Sequence, residues 1–113
     1  MIREKLIHAN CPLSTAMSAL GSKWKPIIVM VLQKKTLRFG QLAAMIHIIS
    51  RKVLTDQLKE LEEDGILERI EFREVPPRVE YHLTEKGLAL LPILKDLSRW
   101  EKDYPKVGKA DKA

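Results

Sequence analysis

The sequence predicts an α+β, mainly α-helical fold for a single domain, and three observations lead to this prediction. Apolar residues recur at helical spacing along most of the chain, as Leu54, Leu58 and Leu61 do. After Gly65 the spacing changes to the alternation that is typical of strands. The chain has 113 residues, of which 45% are apolar, and a single cysteine, so its hydrophobic core must hold the fold without an internal disulfide.

The N-terminal part of the chain predicts two helices in succession. Ser14 is expected to cap a short helix from Ser14 to Leu20, which ends at Gly21 because glycine readily adopts the left-handed conformation. A second helix begins near Lys23 and tolerates Pro26 in its first turn, where an amide hydrogen would have no helical partner. The apolar run that follows predicts the central core helix, and the aromatic residues Trp24 and Phe39 are also expected in the core.

The middle of the chain predicts a short edge strand at residues 37–39 and two further helices. The first spans residues 40–46, and its expected buried residues are Leu42, Ala43, Met45 and Ile46. The second has Ser50 as its N-cap, runs to about Asp64 and stops at Gly65. Its leucines point to the core, which leaves an outward surface of polar residues only.

The C-terminal part predicts a β-hairpin and a long helix. Residues 66–72 and 79–83 alternate as strands do, and Pro76 and Pro77 interrupt the ladder between them. Thr84 is expected to cap the last helix, whose apolar surface is too broad for a small monomer to cover. A second subunit is therefore expected to cover part of it. The residues assigned to this dimer interface are Leu91, Leu94, Leu97 and Trp100.

Three helices followed by a two-stranded wing, with a polar-faced helix directly before the wing, is the order of a winged helix-turn-helix. The chain from Cys11 to Trp100 also resembles the HxlR family of bacterial transcriptional regulators, which are relatives of the MarR group. The segments that carry the resemblance are Cys11-Pro12, Gly21-Ser22-Lys23-Trp24, Arg38-Phe39, Ser50-Arg51-Lys52-Val53-Leu54-Thr55, and residues 58–65, 75–81 and 83–87.

The resemblance implies a homodimer, with its N- and C-terminal helices at the interface, that binds double-stranded DNA at a palindromic operator, most commonly as a repressor. The residue types agree, because Arg and Lys donate to guanine or phosphate and the dipole of a helix start favours phosphate. A basic side chain on an exposed helix is also commonly only a solvated charge. The residues expected at DNA are Lys23, Arg38, Ser50, Arg51, Lys52, Thr55, Asp56, Lys59, Arg73 and Arg78.

Cys11 precedes the first predicted helix, at a position where many HxlR-type sequences have a cysteine. In some members of the family this cysteine senses electrophiles or oxidants. Charged residues nearby in the sequence, namely Arg3, Lys5, His8 and Lys23, would lower the pKa of its thiol and favour the reactive thiolate. The alternative is a small apolar side chain buried beneath the dimer interface. Both interpretations remain open at the level of sequence.

Several other classes of protein are disfavoured. The chain has no Gly-rich phosphate loop and no motif that joins a histidine to a nucleophile, so we expect neither an enzyme nor a cofactor. His8 and Cys11 without a second ligand cluster do not predict a metal site. The absence of a long apolar run and of a signal peptide leads us to expect a cytoplasmic protein that does not enter a membrane.

The predicted organisation is one winged-helix domain over residues 1–104 and a flexible tail over residues 105–113. No residues remain for a separate effector domain, so a small-molecule effector would have to bind at the dimer interface. The alternative function is a winged helix that binds another protein and not DNA. A net charge of +5 permits either, but positive charge at both the helix start and the wing favours DNA.

Overall fold

The computed structural model describes residues 11–106 and confirms the mainly α-helical α+β prediction. The predicted tail lies mostly outside these residues. The helices are α1 (Pro12–Ala19), α2 (Trp24–Leu32), α3 (Phe39–Met45), α4 (Arg51–Glu63) and α5 (Glu85–Asp103). The strands β1 (Leu37–Arg38), β2 (Leu67–Phe72) and β3 (Arg78–Leu83) form an antiparallel sheet in the order β1-β3-β2.

The core lies between α2, α4 and the sheet. In α2, Ile28, Val29 and Leu32 have no solvent exposure, which confirms the predicted central helix. The leucines at 54, 58 and 61 of α4 are at most 2% exposed, so they anchor that helix by one face only. The opposite face of α4 is left in solvent, as the sequence predicted.

Local signals placed both boundaries of α4 and the start of α5 correctly. The Ser50 hydroxyl accepts a hydrogen bond from the Val53 amide at 3.1 Å, and the Thr84 hydroxyl accepts one from the Gly87 amide at 3.2 Å. Gly65 follows α4 with a φ of +74°, a left-handed conformation that favours glycine. The hairpin of β2 and β3 and the edge strand β1 also form as predicted.

Three details of the prediction were wrong. Helix α1 begins at Pro12 and not at Ser14, because the fixed φ of a proline suits the first helical position and Cys11 is the extended N-cap residue. Met45, which was expected to be buried, is the last residue of α3 and is 49% exposed. Trp24 and Phe39 are only partly buried and pack against the core from its periphery.

The start of α5 is held tightly against the end of α4. The Thr84 hydroxyl donates to the Gly65 carbonyl at 2.6 Å, and Lys86 Nζ donates to the Asp64 carbonyl at 3.2 Å. A Cβ added at Gly87 would lie 2.1 Å from the carbonyl oxygen of Ile66, so only glycine permits this approach. The helix that carries the exposed polar face and the C-terminal helix are thus joined at one firm contact.

Candidate nucleic-acid interface

The exposed face of α4 is polar and its charge changes along the helix. The basic residues Arg51 and Lys52 lie in the first turn, and the acidic residues other than Asp56 are concentrated in the second half, which also contains Lys59. No carboxylate occupies the first turn of the helix. The free amides and the positive end of the helix dipole therefore coincide with the basic side chains, which favours an anion at this end. The exposed residues of this face are Arg51, Lys52, Thr55, Asp56 and Lys59.

A shallow cleft of about 440 Å³ opens at the start of α4. Its lining includes Phe39, Arg51 and Thr55. The Arg51 guanidinium lies 4.8 Å from the centre of the Phe39 ring, and the Thr55 hydroxyl donates to the Arg51 carbonyl at 2.8 Å. The ring restricts Arg51 without neutralising it, so the guanidinium hydrogens stay available for an external acceptor. The sequence did not predict this supporting role for Phe39.

Lys52 forms an ion pair with Asp56, one helical turn away, with its Nζ 3.0 Å from the Asp56 carboxylate. The two side chains are 85% and 52% exposed, so water and salt screen the pair strongly. Lys59 has no ion pair within residues 11–106. The face thus offers two unpaired cations, Arg51 and Lys59, and a third cation that a phosphate could compete for.

Arg78 of the wing, which the sequence predicted to contact DNA, is packed into the hairpin against one aromatic ring and two carboxylates. Its guanidinium lies 4.0 Å from the centre of the Phe72 ring, 3.1 Å from the Glu74 carboxylate and 3.5 Å from the Glu80 carboxylate. Its Nε is buried without a partner among the described residues. Phe72 and Arg78 are register partners across the hairpin, and counting outward from the Pro-rich tip could have revealed that pairing.

The remaining predicted contacts differ in availability. Arg73 is exposed at the wing and has no ion pair in the described part of the chain. Arg38 is 57% exposed, and its Nε lies 3.9 Å from the Glu80 carboxylate. Lys23 is exposed, with its Nζ 4.6 Å from the centre of the Trp24 ring. Arg73 and Lys23 can therefore meet phosphate without first leaving a carboxylate.

This chain, which has a helix with basic residues in its first turn beside a β wing, is similar to known regulators in both sequence and structure. The HxlR-like helix-turn-helix family matches residues 19–109. The chain belongs to the HxlR-like family. An HTH-type transcriptional regulator of Halalkalibacterium halodurans is 46% identical over 92 residues, which cover 80% of this chain and 81% of that protein.

Solved structures of other HxlR-like regulators agree. The reduced form of the transcriptional regulator YodB from Bacillus subtilis is 38% identical with a TM-score of 0.76, and covers 85% of this chain and 95% of YodB. YodB is also known in a quinone-bound form, 37% identical with a TM-score of 0.71, over 83% of this chain and 99% of YodB. The redox regulator HypR in its reduced form is 35% identical with a TM-score of 0.79, over 88% of this chain and 98% of HypR.

Cys11 of this HxlR-like chain lies at the N-terminus of α1 and is partly exposed. The backbone amides of Ser14 and Leu13, at the start of α1, lower the pKa of the Cys11 thiol. The cause is the free amides of the helix start, whereas the sequence suggested nearby cations. Of those cations, Arg3, Lys5 and His8 lie outside the described residues.

Apolar side chains form an exposed surface along α1 and α5 of this HxlR-like fold. Two of the residues assigned to the dimer interface, Leu91 and Leu94, are at most 7% exposed and pack in the chain's own core. Their place in the interface prediction is corrected, because one subunit already covers them. Leu97 and Trp100 remain 56% and 58% exposed. Other exposed apolar residues of the two helices are Leu13, Met17, Leu88 and Ile93, and the exposed Tyr104 directly follows α5.

Within residues 11–106, no helix is long and apolar enough to cross a membrane. The same residues bring together no group of three or more His, Cys, Asp and Glu side chains that could hold a metal ion.

Proposed function

We propose that this HxlR-like regulator is a homodimer that binds a palindromic operator in double-stranded DNA with α4 in the major groove, and that it acts as a repressor. The observation that supports this most directly is the exposed, carboxylate-free basic start of α4 beside a wing that carries the unpaired Arg73. A protein that contacts the phosphate backbone on both sides of a groove needs positive charge at two separate points, and here the start of α4 and the wing supply it.

Within the proposed complex the residues have different roles. Arg51 and Lys59 reach base edges or phosphates from α4, and Lys52 exchanges its partner Asp56 for a phosphate. Thr55 contacts a base through its methyl or hydroxyl group, and the helix dipole with the capped Ser50 end adds attraction for phosphate. Arg73 contacts phosphate at the wing, with Arg38 and Lys23 as peripheral phosphate contacts, while Arg78 holds the wing in shape.

Selection of bound fragments from a random pool of duplex DNA, at near-physiological salt, tests the proposal. The wild-type protein is expected to enrich a sequence with two half-sites about one helical turn, roughly 34 Å, apart. A variant with Lys52→Ala and Arg73→Ala is expected to lose this enrichment. Lys34→Ala is the matched control, because Lys34 is an exposed lysine that belongs to neither α4 nor the wing.

The salt dependence of binding separates this function from the alternative of a protein-binding winged helix. Neutralisation of several phosphates predicts a log-log slope of about −0.9 for each phosphate contacted. If no fragment is enriched and the slope is near zero, the chain does not bind DNA, and the protein-binding alternative replaces the proposal.

We also propose that Cys11 makes DNA binding responsive to electrophiles or oxidants, with a quinone as one small-molecule effector. The lowered pKa and partial exposure of its thiol support this role, as does the similarity to YodB. Addition of the thiolate to a quinone carbon forms a C–S bond and, after proton transfer, leaves a hydroquinone thioether, so no further oxidant is needed.

Operator affinity before and after treatment with benzoquinone tests the proposed response. We expect a change in the affinity of the wild-type protein and no change for Cys11→Ser, which retains the shape of the side chain without the nucleophile. Unchanged affinity in a wild-type sample that mass spectrometry shows to be fully modified would refute the sensing role while leaving DNA binding intact.

A further inference from the structure

Two polar contacts join the start of α2 to α4, outside the hydrophobic core. Lys25 Nζ lies 2.6 Å from Glu60 Oε1, and the Ser22 hydroxyl donates a hydrogen bond to Gln57 Oε1. Gln57 and Glu60 are three residues apart and therefore lie on the same side of α4. Ser22 lies in the Gly21–Trp24 segment. In the proposed DNA complex Lys23 contacts phosphate, but Ser22 does not contact DNA.

Lys25 is an unusual residue for its surroundings. Its side chain is 7% exposed, and its neighbours in α2 include the fully buried Ile28 and Val29. A buried ammonium is unfavourable unless it is paired, and an apolar side chain of similar volume commonly gives equal or greater stability. We therefore infer that the Lys25–Glu60 pair contributes to the relative position of α2 and α4 and not to stability, because a charge-assisted hydrogen bond has a defined length and direction.

Ser22 makes the second contact continuous with the backbone of α2. Its hydroxyl oxygen accepts a hydrogen bond from the Lys25 amide at 3.2 Å while its hydrogen is donated to Gln57. The first turn of α2 and the middle of α4 are thus linked through one hydroxyl group. Together with the ion pair, this contact restrains α4 at two points that are one turn apart.

We propose that Ser22 and Lys25 are positioning residues, which set the orientation of α4 through Gln57 and Glu60 and thereby determine how well α4 discriminates its operator from other DNA. The second part of this inference rests on the proposed function. The core leucines of α4 keep the helix attached, but apolar contacts tolerate small rotations and shifts. Hydrogen bonds to base edges require closer alignment than contacts with phosphates, so specific binding is the property that depends on the restraint.

Lys25→Met and Ser22→Ala are the variants to test. Methionine fits the buried site, and Glu60, which is 50% exposed, remains hydrated when its partner is removed, so both variants should fold. Lys34→Met removes the same charge from an exposed site and serves as the control. Thermal unfolding verifies that each variant is folded.

Residual dipolar couplings of backbone amides in the free protein measure the orientation of α4 directly. In the wild-type protein and in Lys34→Met, the couplings of α2 and α4 are expected to fit one common frame. In Lys25→Met and in Ser22→Ala, the couplings of α4 should depart from the frame of α2, because the contacts that are removed join these two helices. If α4 keeps its wild-type orientation in both variants, the inference is wrong, whatever the protein binds.

Binding to operator and to scrambled duplexes measures the functional consequence. We expect Lys25→Met to lose about tenfold in operator affinity, comparable to one good base contact, with affinity for scrambled DNA within about twofold of wild type. An equal loss on both duplexes, or no loss on either, would contradict the proposed link to specificity. If wild type prefers no duplex, the proposed function fails, but the dipolar couplings still decide whether the contacts position α4.

Discussion

Asp56 places a carboxylate in the middle of the proposed DNA-binding face, and this has an energetic consequence for its neighbour Lys52. Their ion pair is largely exposed, and such pairs contribute about 0.3–0.5 kcal/mol to the free energy of unfolding. The carboxylate also repels the phosphates that the face is proposed to approach. We infer that Asp56 limits binding to arbitrary DNA.

Asp56→Asn is therefore expected to strengthen binding to non-specific DNA and to leave the melting temperature almost unchanged. The substitution removes the repulsion and frees Lys52 for phosphate, which should make the salt slope steeper by up to about one unit. Fluorescence anisotropy with a scrambled duplex at several salt concentrations measures both quantities. Weaker binding by the variant would show that Asp56 does not oppose DNA.

The thiol of Cys11 offers a second measurement on a single residue. Because the amides at the start of α1 stabilise the thiolate, the pKa of Cys11 lies below that of an ordinary cysteine, and the thiolate fraction at neutral pH is correspondingly larger. The rate of alkylation by iodoacetamide is expected to rise with pH to a midpoint below that of free cysteine. A midpoint at or above that of free cysteine would show that burial outweighs the amides.

At the scale of elements, the wing separates into an arginine that supports it and an arginine that projects from it. Arg78 is held by Glu74, Glu80 and the Phe72 ring, whereas Arg73 has no ion pair within the described residues. Sequence alone treated the two arginines as equivalent, because they flank the same turn and carry the same charge.

Arg73→Ala and Arg78→Ala should consequently have different effects, the first on DNA binding and the second on the order of the wing. Loss of Arg73 is expected to reduce the magnitude of the salt slope by about 0.9 and leave the wing ordered. Loss of Arg78 should increase the rate of amide hydrogen exchange in β2 and β3, because Glu74 and Glu80 then repel each other without a cation between them. If both variants reduced the salt slope of DNA binding equally, both arginines would contact phosphate, and the division of roles proposed for them would be wrong.

The elements themselves were largely predictable from sequence, because their signals are local. The Ser50 and Thr84 caps and the left-handed Gly65 each depend on residues within one helical turn. What the sequence did not reveal depends on contacts between distant segments, such as the pairing of Lys25 with Glu60 and the burial of Leu91. A helical period identifies an apolar face but does not say which part of it the same chain covers.

At the scale of the whole molecule, α1 and α5 leave large apolar side chains exposed, and a group of such side chains is typical of a protein–protein interface. The exposed residues on α5, including Ile93 and Trp100, extend over several turns of the helix. A second copy of the chain is the partner that the proposed palindromic operator requires, since each half-site needs one α4.

Ile93→Glu is expected to convert a dimer into a monomer of about 13.0 kDa with its helical content retained, because Ile93 is 59% exposed and outside the subunit's core. A charge there would be buried without a partner in the dimer. Sedimentation equilibrium at micromolar concentration measures the change, and Lys95→Glu on the same helix is the control. A monomeric wild-type protein would contradict the proposed dimer.

For the proposed dimer on a palindromic operator, the close approach at Gly87 limits the variation in operator length that the protein can tolerate. Because Thr84, Lys86 and Gly87 fix the start of α5 to the end of α4, the two DNA-contacting helices of a dimer built on α5 keep a constant separation. One extra base pair between half-sites adds about 3.4 Å and about 35° of rotation, which this joint cannot absorb. Fragments enriched from a random pool of duplex DNA should therefore have one fixed spacer length between the half-sites, in addition to a common base sequence.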